Sequence, residues 1–151
     1  MIKYEITDEV HPRNRKLRRI RALRDIPRYG VKAGDLGGWI ESEKNLDQEG
    51  DCWVSNNASV YEDARVSGEA RVYSKAWVFG YALISRNAWV SGNVRVSGNA
   101  SVSGKACVFG KALIFGKACV FGRAWVSDYA QVSGDARVSG NDTVSGDERV
   151  S

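Results

Sequence analysis

Residues 100–126 read ASVSGKACVFGKALIFGKACVFGRAWV, and this stretch decides the fold. Alanine returns in it every six residues, and an aliphatic residue stands two places after each alanine. Because side chains alternate across an extended backbone, the alanine and the aliphatic residue of each hexad lie on one face. A glycine two places after the aliphatic residue marks a point where the chain bends. Each hexad therefore predicts a short strand followed by a corner.

The same repeat extends in both directions along the chain. The alanine position recurs from Ala58 to Ala136, with Val94 in place of one alanine, and the aliphatic position is filled at every step from Val54 to Val150. A six-residue unit is too short to fold alone, so stacked turns must bury the two columns as one core. We therefore predict a repeat domain at residues 52–151 and an N-terminal cap at residues 1–51.

The hexads resemble those of hexapeptide-repeat proteins, although their glycine comes one place later than is common in that family. The resemblance implies an all-β, left-handed parallel β-helix of about five and a half triangular turns, with three hexads in each turn and strands roughly 4.8 Å apart. The preceding segments RIRALRDI and VKAGDLGGWIESEKNLDQEGDCWV resemble those of uncharacterised hexapeptide-repeat proteins from phages and enteric bacteria. That second resemblance implies a phage or prophage setting and implies no activity.

The first 51 residues break the period, and we interpret them as a cap. IKYEI alternates as a strand does, whereas KLRRIRAL fits either a second strand or a helical turn. A solenoid end needs a cover because it offers unpaired backbone groups to other chains. Gly37 and Gly38 permit a close approach to the first turn, and Trp39 is available to plug the open end.

At the other end, Asp142 and Glu148 occupy alanine positions. A buried carboxylate is unfavourable, so we expect the last turn either to fray or to resist further stacking.

Residues 18 apart lie above one another in a turn of three hexads, so outward columns follow directly from the sequence. One column contains Trp53, Arg71, Trp89, Cys107 and Trp125. Tryptophan and arginine in register can form a cation–π stack that offers a binding surface. They can equally serve as cross-strand pairs that only stabilise the sheet. Both interpretations stay open at this point.

Phe109, Phe115 and Phe121 stand where neighbouring hexads have serine, and we name these three residues the aromatic girdle. They fall on three successive faces of one turn, with Leu113 beside them. An apolar patch of this kind on a soluble protein usually marks an interface. The cations that rim the girdle are Lys105, Lys111, Lys117 and Arg123. A smaller apolar patch comprises Trp77, Phe79, Tyr81 and Leu83.

We expect self-association through the girdle, as a trimer by similarity to parallel hexapeptide helices. The alternative is that the N-terminal segment folds back over one face and covers some of these side chains.

A basic block precedes the repeat and offers a weaker prediction of nucleic-acid or nucleotide contact. It consists of Arg13, Arg15, Lys16, Arg18, Arg19, Arg21, Arg24 and Arg28. Residues 35–51 are acidic, so the two segments can neutralise each other, and the net charge of the chain is only +4. This modest charge disfavours a nucleic-acid function.

Signatures of catalysis are sparse. Many hexapeptide-repeat acyltransferases use a histidine as general base, but the single histidine here, His11, precedes the repeat. The sequence contains no HExxH motif, no P-loop and no cluster of cysteine and histidine. Cys107 and Cys119 fall on different faces, which argues against a disulfide or a shared metal. We therefore expect no enzyme, no cofactor and no metal, and the acyltransferase alternative is disfavoured.

The sequence thus predicts a non-catalytic binding or scaffold module that associates with itself. The alternative is a phage inhibitor that sequesters a component of host defence, either a protein or a nucleotide. There is no signal-peptide pattern, no apolar run long enough for a membrane span and no CxxC spacing among three cysteines. These features favour the cytoplasm of a bacterial host, or a virion, and no membrane partner.

Overall fold

The computed structural model describes residues 2–151, whose regular elements are strands and two short 3-10 helices. The N-terminal part contains β1 (Tyr4–Val10), β2 (Arg18–Ala22), a 3-10 helix (Pro27–Tyr29), β3 (Leu36–Ile40) and a second 3-10 helix (Glu43–Asn45). Two-residue strands then recur every six residues along the rest of the chain. They are β4 (Trp53–Val54), β5 (Ser59–Val60), β6 (Arg65–Val66), β7 (Arg71–Val72), β8 (Trp77–Val78), β9 (Leu83–Ile84), β10 (Trp89–Val90), β11 (Arg95–Val96), β12 (Ser101–Val102), β13 (Cys107–Val108), β14 (Leu113–Ile114), β15 (Cys119–Val120), β16 (Trp125–Val126), β17 (Gln131–Val132), β18 (Arg137–Val138), β19 (Thr143–Val144) and β20 (Arg149–Val150).

The strands form three sheets, one for each side of a solenoid of about six turns. The nine-stranded sheet has the order β1-β2-β3-β5-β8-β11-β14-β17-β20. The six-stranded sheet runs from β4 to β19 and the five-stranded sheet from β6 to β18, each through every third strand. Strands of successive turns pair in parallel, with Val90 beside Val72 and Val108. The predicted all-β parallel solenoid with three strands per turn is confirmed, while its hand stays a prediction.

The core is the continuous column of alanine and aliphatic side chains that the repeat predicts. Ala100, Val102 and Ile114 are fully buried, as are most of their counterparts along the solenoid. Val96 is also fully buried, whereas the next residue, Ser97, is half-buried. The hexad register read from the sequence is therefore confirmed.

The corners require a left-handed backbone, which explains the glycine in the hexad. Every sixth residue from Gly50 to Gly146 has a positive φ. Successive corners also stack closely, so that a Cβ built on Gly104 would lie 2.9 Å from the backbone N of Gly122. Glycine satisfies both the dihedral angle and the close approach. Five corners carry other residues in the same conformation, namely Asn56, Glu62, Ser74, Arg86 and Asp128.

The N-terminal segment forms an antiparallel hairpin, β1 with β2, that continues the nine-stranded sheet. KLRRIRAL thus returns as a strand rather than a helical turn. β3 pairs with β2 in antiparallel fashion but with β5 in parallel, and Ile40 is in register with Val60. Leu46 forms a bridge to Val66 in the same way. The aliphatic ladder therefore begins at Ile40, so part of the predicted cap is the first turn of the solenoid.

Gly37 and Gly38 lie where backbones meet, since a Cβ on Gly38 would fall 2.6 Å from the carbonyl oxygen of Ala58. Trp39 is buried but does not plug the open end. It is in register with Ser59 on the outward side of the sheet, where the His11 ring packs against it at 4.7 Å. The expectation for Trp39 is therefore corrected, and Tyr4 and Ile20 of the hairpin are among the buried side chains at this end.

Backbone hydrogen bonds give the solenoid a predominant direction, because outside the strand-to-strand bonds the N–H groups of one turn donate to carbonyls of the next turn. The N–H of Trp53, for example, donates to Ala70 at 3.0 Å. The N-terminal end consequently has free carbonyls, and the buried ammonium of Lys3 donates to Cys52 O at 2.7 Å and Gly50 O at 3.3 Å. A cation thus satisfies the acceptors left at this end.

The C-terminal end is the complement of the first, since its free groups are N–H donors. The exposed carboxylate of Asp142 accepts from the N–H of Ser139 at 3.3 Å, and Glu148 accepts from Ser145 at 3.2 Å. β19 and β20 keep their strand pairing in this last turn. The last turn therefore keeps its strand pairing, with its two acidic residues in alanine positions of the repeat, and its fraying stays a prediction.

Candidate binding surfaces

The outward column on the six-stranded sheet differs from its expected form at both Trp53 and Arg71. Trp53 is only 1% exposed and meets the Tyr4 ring edge-on at 6.4 Å, so it belongs to the core. The Arg71 guanidinium lies over Tyr73 at 4.5 Å and over Tyr29 at 5.0 Å. The expected stack of Arg71 between tryptophans is therefore wrong, because tyrosines near the N-terminal end of the sheet take that place.

The other two tryptophans of this column remain on the surface. Trp89 is 42% exposed and Trp125 is 53% exposed, on β10 and β16. The edge of Trp125 meets Phe109 with ring centroids 5.9 Å apart, and Trp89 meets Tyr73 in the same way at 6.2 Å. Each tryptophan is thus supported by a neighbouring ring and still presents half of its surface to solvent.

The aromatic girdle lies where the sequence places it. Phe109, Phe115 and Phe121 follow β13, β14 and β15, which belong to three different sheets. Phe115 is 39% exposed, while Phe109, Phe121 and Leu113 are half-buried. Its role as an interface stays a prediction.

The smaller apolar patch wraps around a corner. Trp77 lies on the nine-stranded sheet and Phe79 directly follows its strand β8, whereas Leu83 lies on the five-stranded sheet. Phe79 stacks on Tyr61 with centroids 5.2 Å apart and nearly parallel planes, and the Arg95 guanidinium lies 4.8 Å above the Trp77 ring. The structure therefore groups Trp77 and Phe79 with Tyr61 and Arg95 rather than with Leu83.

The basic block divides into two parts. Four of its arginines have carboxylate partners, which are Arg19 with Glu9, Arg21 with Glu5, Arg24 with Asp51 and Arg28 with Glu69. Only Asp51 belongs to the acidic segment that was expected to neutralise the block. Arg13, Arg15, Lys16 and Arg18 are exposed and have no salt bridge among residues 2–151. One of these four, Arg13, lines the groove described next.

A groove of about 690 Å³ lies between the 11–17 turn and the nine-stranded sheet. It is lined by His11, Pro12, Arg13, Asn14, Leu17, Asn57, Ser59, Tyr61, Lys75, Trp77, Asn93 and Arg95. Sequence reasoning singled out Trp77 and Arg13 among these but missed the site. Ser59, Trp77 and Arg95 form one column because they lie 18 residues apart, so the part of the groove on the sheet could be predicted from the sequence. The 11–17 turn that completes the groove could not be predicted, because its position depends on contacts of the hairpin.

The groove is cationic and contains aromatic surface. Arg13, Lys75 and Arg95 line it, and no Asp or Glu is among its lining residues in the part of the chain that the structure describes. A smaller cleft adjoins it at Lys75 and contains Arg19, whose guanidinium lies 4.2 Å from the Trp39 ring. This arrangement attracts anions.

His11 forms part of the wall as a neutral imidazole. Burial, and then the charges of Arg13 and Arg19, lower the pKa of His11 from its ordinary value. Its Nδ1 accepts the N–H of Arg13 at 3.0 Å, so the proton of the neutral ring is on Nε2. Burial likewise raises the pKa of Tyr61, assisted by Glu62 and opposed by Arg95, so its hydroxyl stays protonated near neutral pH.

The cysteines and acidic residues form no comparable site. Within residues 2–151 no three or more His, Cys, Asp and Glu side chains come together as a metal site would require. Cys107 is on the six-stranded sheet and Cys119 on the five-stranded sheet. Residues 2–151 include no helix of the length and apolarity that crossing a membrane requires.

Comparison with known proteins agrees with the architecture. The family model described as YdcK Beta solenoid repeat matches residues 88–104 and 130–147, both inside the repeat. No curated protein matches the chain. The match and the structure together indicate a protein of the repeat β-solenoid type.

Proposed function

We propose that the chain is a non-catalytic binding module and that it associates with itself on the six-stranded face, through Phe109 of the girdle and the neighbouring Trp125. The observation that carries this proposal is the exposure of Trp125 beside Phe109. Both side chains point away from a core that is already complete, since Val108 and Val126 beneath them are buried. Outward aromatic surface that the fold does not need is typical of interfaces.

The apolar area is adequate for a modest interface. Burying Trp125 and Phe109 in both copies would remove the exposed parts of four aromatic side chains from water. At roughly 25 cal/mol per Å² this contributes several kcal/mol before the entropy of association is subtracted. The rigid, fully packed solenoid limits the further entropy lost when the two surfaces meet.

The charge pattern favours an antiparallel pair over the trimer expected from the resemblance. The cations Lys105, Lys111 and Lys117 lie around the same turn as the girdle, and Arg123 lies one turn above Lys105, so a parallel trimer would bring like charges to the same height. In an antiparallel pair centred on Trp125, Lys111 of each copy would lie opposite Asp147 of the other. Opposite charges across an interface fix its register.

The test is the mass in solution of the double variant Phe109→Ser with Trp125→Ser. We expect it to be folded and monomeric by light scattering, whereas the unmodified chain is a dimer. Phe121→Ser, on the five-stranded face, is the matched control and should remain a dimer. A monomeric unmodified chain, or a double variant that keeps its dimer mass, would contradict the proposal.

The phage setting and the inhibitor role rest on the resemblance alone.

A further inference from the structure

We infer that the groove between the 11–17 turn and the nine-stranded sheet binds a free nucleotide. The base would lie against Trp77 and Tyr61, and the phosphate would be held by Lys75, Arg95 and Arg13. This site lies on a different face from the proposed self-association surface and does not depend on it.

The size of the groove suits a ligand of this class. Its volume of about 690 Å³ lies within the range of pockets for small molecules and cofactors. One side is the corner column of Asn57, Lys75 and Asn93, and the other is the 11–17 turn. A ligand in the groove would therefore contact two parts of the chain that are far apart in sequence.

The cations of the groove lack carboxylate partners. Arg13, Lys75 and Arg95 form no salt bridge within the described chain, in contrast to Arg21, Arg24 and Arg28 nearby. Arginine binds phosphate through two parallel N–H donors, and lysine adds a compact charge. Three unpaired cations around one groove are complementary to the charge of a phosphate group.

The aromatic side chains of the groove are held in place before any ligand binds. Tyr61 is stacked on Phe79 at 5.2 Å, and Trp77 is 42% exposed with Arg95 above its ring. Exposed rings of this kind stack on bases irrespective of their identity. The amides of Asn57 and Asn93 and the hydroxyl of Ser59 are available to ring edges or ribose. Ring stacking and phosphate binding together distinguish a nucleotide from inorganic phosphate.

The surroundings favour a free nucleotide over a nucleic-acid strand. A strand needs a basic track that follows its backbone for several nucleotides. Beyond the groove, Arg21, Arg24 and Arg28 are each bound to a carboxylate. Arg15, Lys16 and Arg18 are exposed and have no salt bridge within residues 2–151, but none of them lines the groove. The uncompensated charge is therefore confined to the groove and the adjoining 13–18 segment, and it matches one or a few phosphates.

Isothermal titration of the full chain with AMP, GMP, CMP and UMP tests the inference. We expect at least one of them to bind more tightly than inorganic phosphate and its own nucleoside. Arg95→Gln and Trp77→Leu should each weaken that binding about tenfold or more. The matched controls are Arg137→Gln and Trp89→Leu, which change outward residues at the same hexad position on the other two faces and should leave binding unchanged.

Thermal unfolding of the same variants separates a lost site from a lost fold, and Arg95→Lys, which keeps the charge, should retain part of the affinity. The inference is overturned if none of the four mononucleotides binds, or if the control variants weaken binding as much as Arg95→Gln does. It is also overturned if an eight-nucleotide single strand binds about tenfold more tightly than every mononucleotide, since a strand would then be the ligand.

Discussion

The corner residues show how a single position combines two requirements. A corner must adopt a positive φ, and its Cβ must fit beside the corner of the next turn. Glycine meets both, yet Ser74 and Arg86 occupy the same conformation. A residue with a side chain is strained there, by about 1 kcal/mol or more. The sequence identified the corners because glycine recurs, but it did not show that the exceptions keep the same backbone.

Two substitutions of opposite direction test this account. Gly104→Ala should lower the free energy of unfolding by more than about 1 kcal/mol, because φ is +67° and the new Cβ would lie 2.9 Å from Gly122. Ser74→Gly should raise it by about 1 kcal/mol through relief of strain. Urea denaturation measures both changes. If both variants shift the midpoint in the same direction, steric strain at the corners does not govern stability.

At the scale of strands, the repeat was predictable and the hairpin only partly so. The hexad pattern predicts β4 to β20, because each of these strands pairs with strands 18 residues away that follow the same pattern. The pattern does not reveal that Ile40 and Leu46 begin the aliphatic ladder, since their distance in sequence from their partners Val60 and Val66 is two residues longer than the regular 18. Burial of Trp53 also escaped prediction, because Tyr4 covers it from a distant strand. Sequence periodicity therefore locates the repeating elements but not those that pack on them.

The strand β11 provides a direct test of which face is buried. Val96→Asp should prevent folding, because it places a carboxylate in a fully buried column with no partner. Ser97→Asp, one residue further and half-buried, should change the melting temperature only slightly. Circular dichroism on heating distinguishes the two. Equal tolerance of both substitutions would mean that the register of the core is wrong.

At the scale of the whole molecule, charge follows the direction of the backbone hydrogen bonds. Lys3 satisfies carbonyls at one end, and Asp142 and Glu148 accept N–H groups at the other. A further turn could not stack on the last one without burying these carboxylates. End-to-end stacking of copies on these carboxylates is thereby opposed. The exposed aromatic residues lie on the side faces, so the 18-residue columns of the sequence predict these candidate surfaces. The groove could be recognised only from the folded structure.

A charge exchange between Lys111 and Asp147 tests the antiparallel pair. Lys111→Glu would place two carboxylates opposite each other at each end of the interface, and Asp147→Lys would place two cations there. Each single variant should therefore weaken the dimer several-fold or more in analytical ultracentrifugation, with the larger effect at low salt. The double variant restores opposite charges and should recover most of the affinity. The same exchange made with Lys117 and Asp135, on the corner away from the six-stranded face, is the control and should leave the dimer unchanged. If the double variant is as weak as the sum of the single ones, the two residues do not meet, and a parallel arrangement becomes the better description of the assembly.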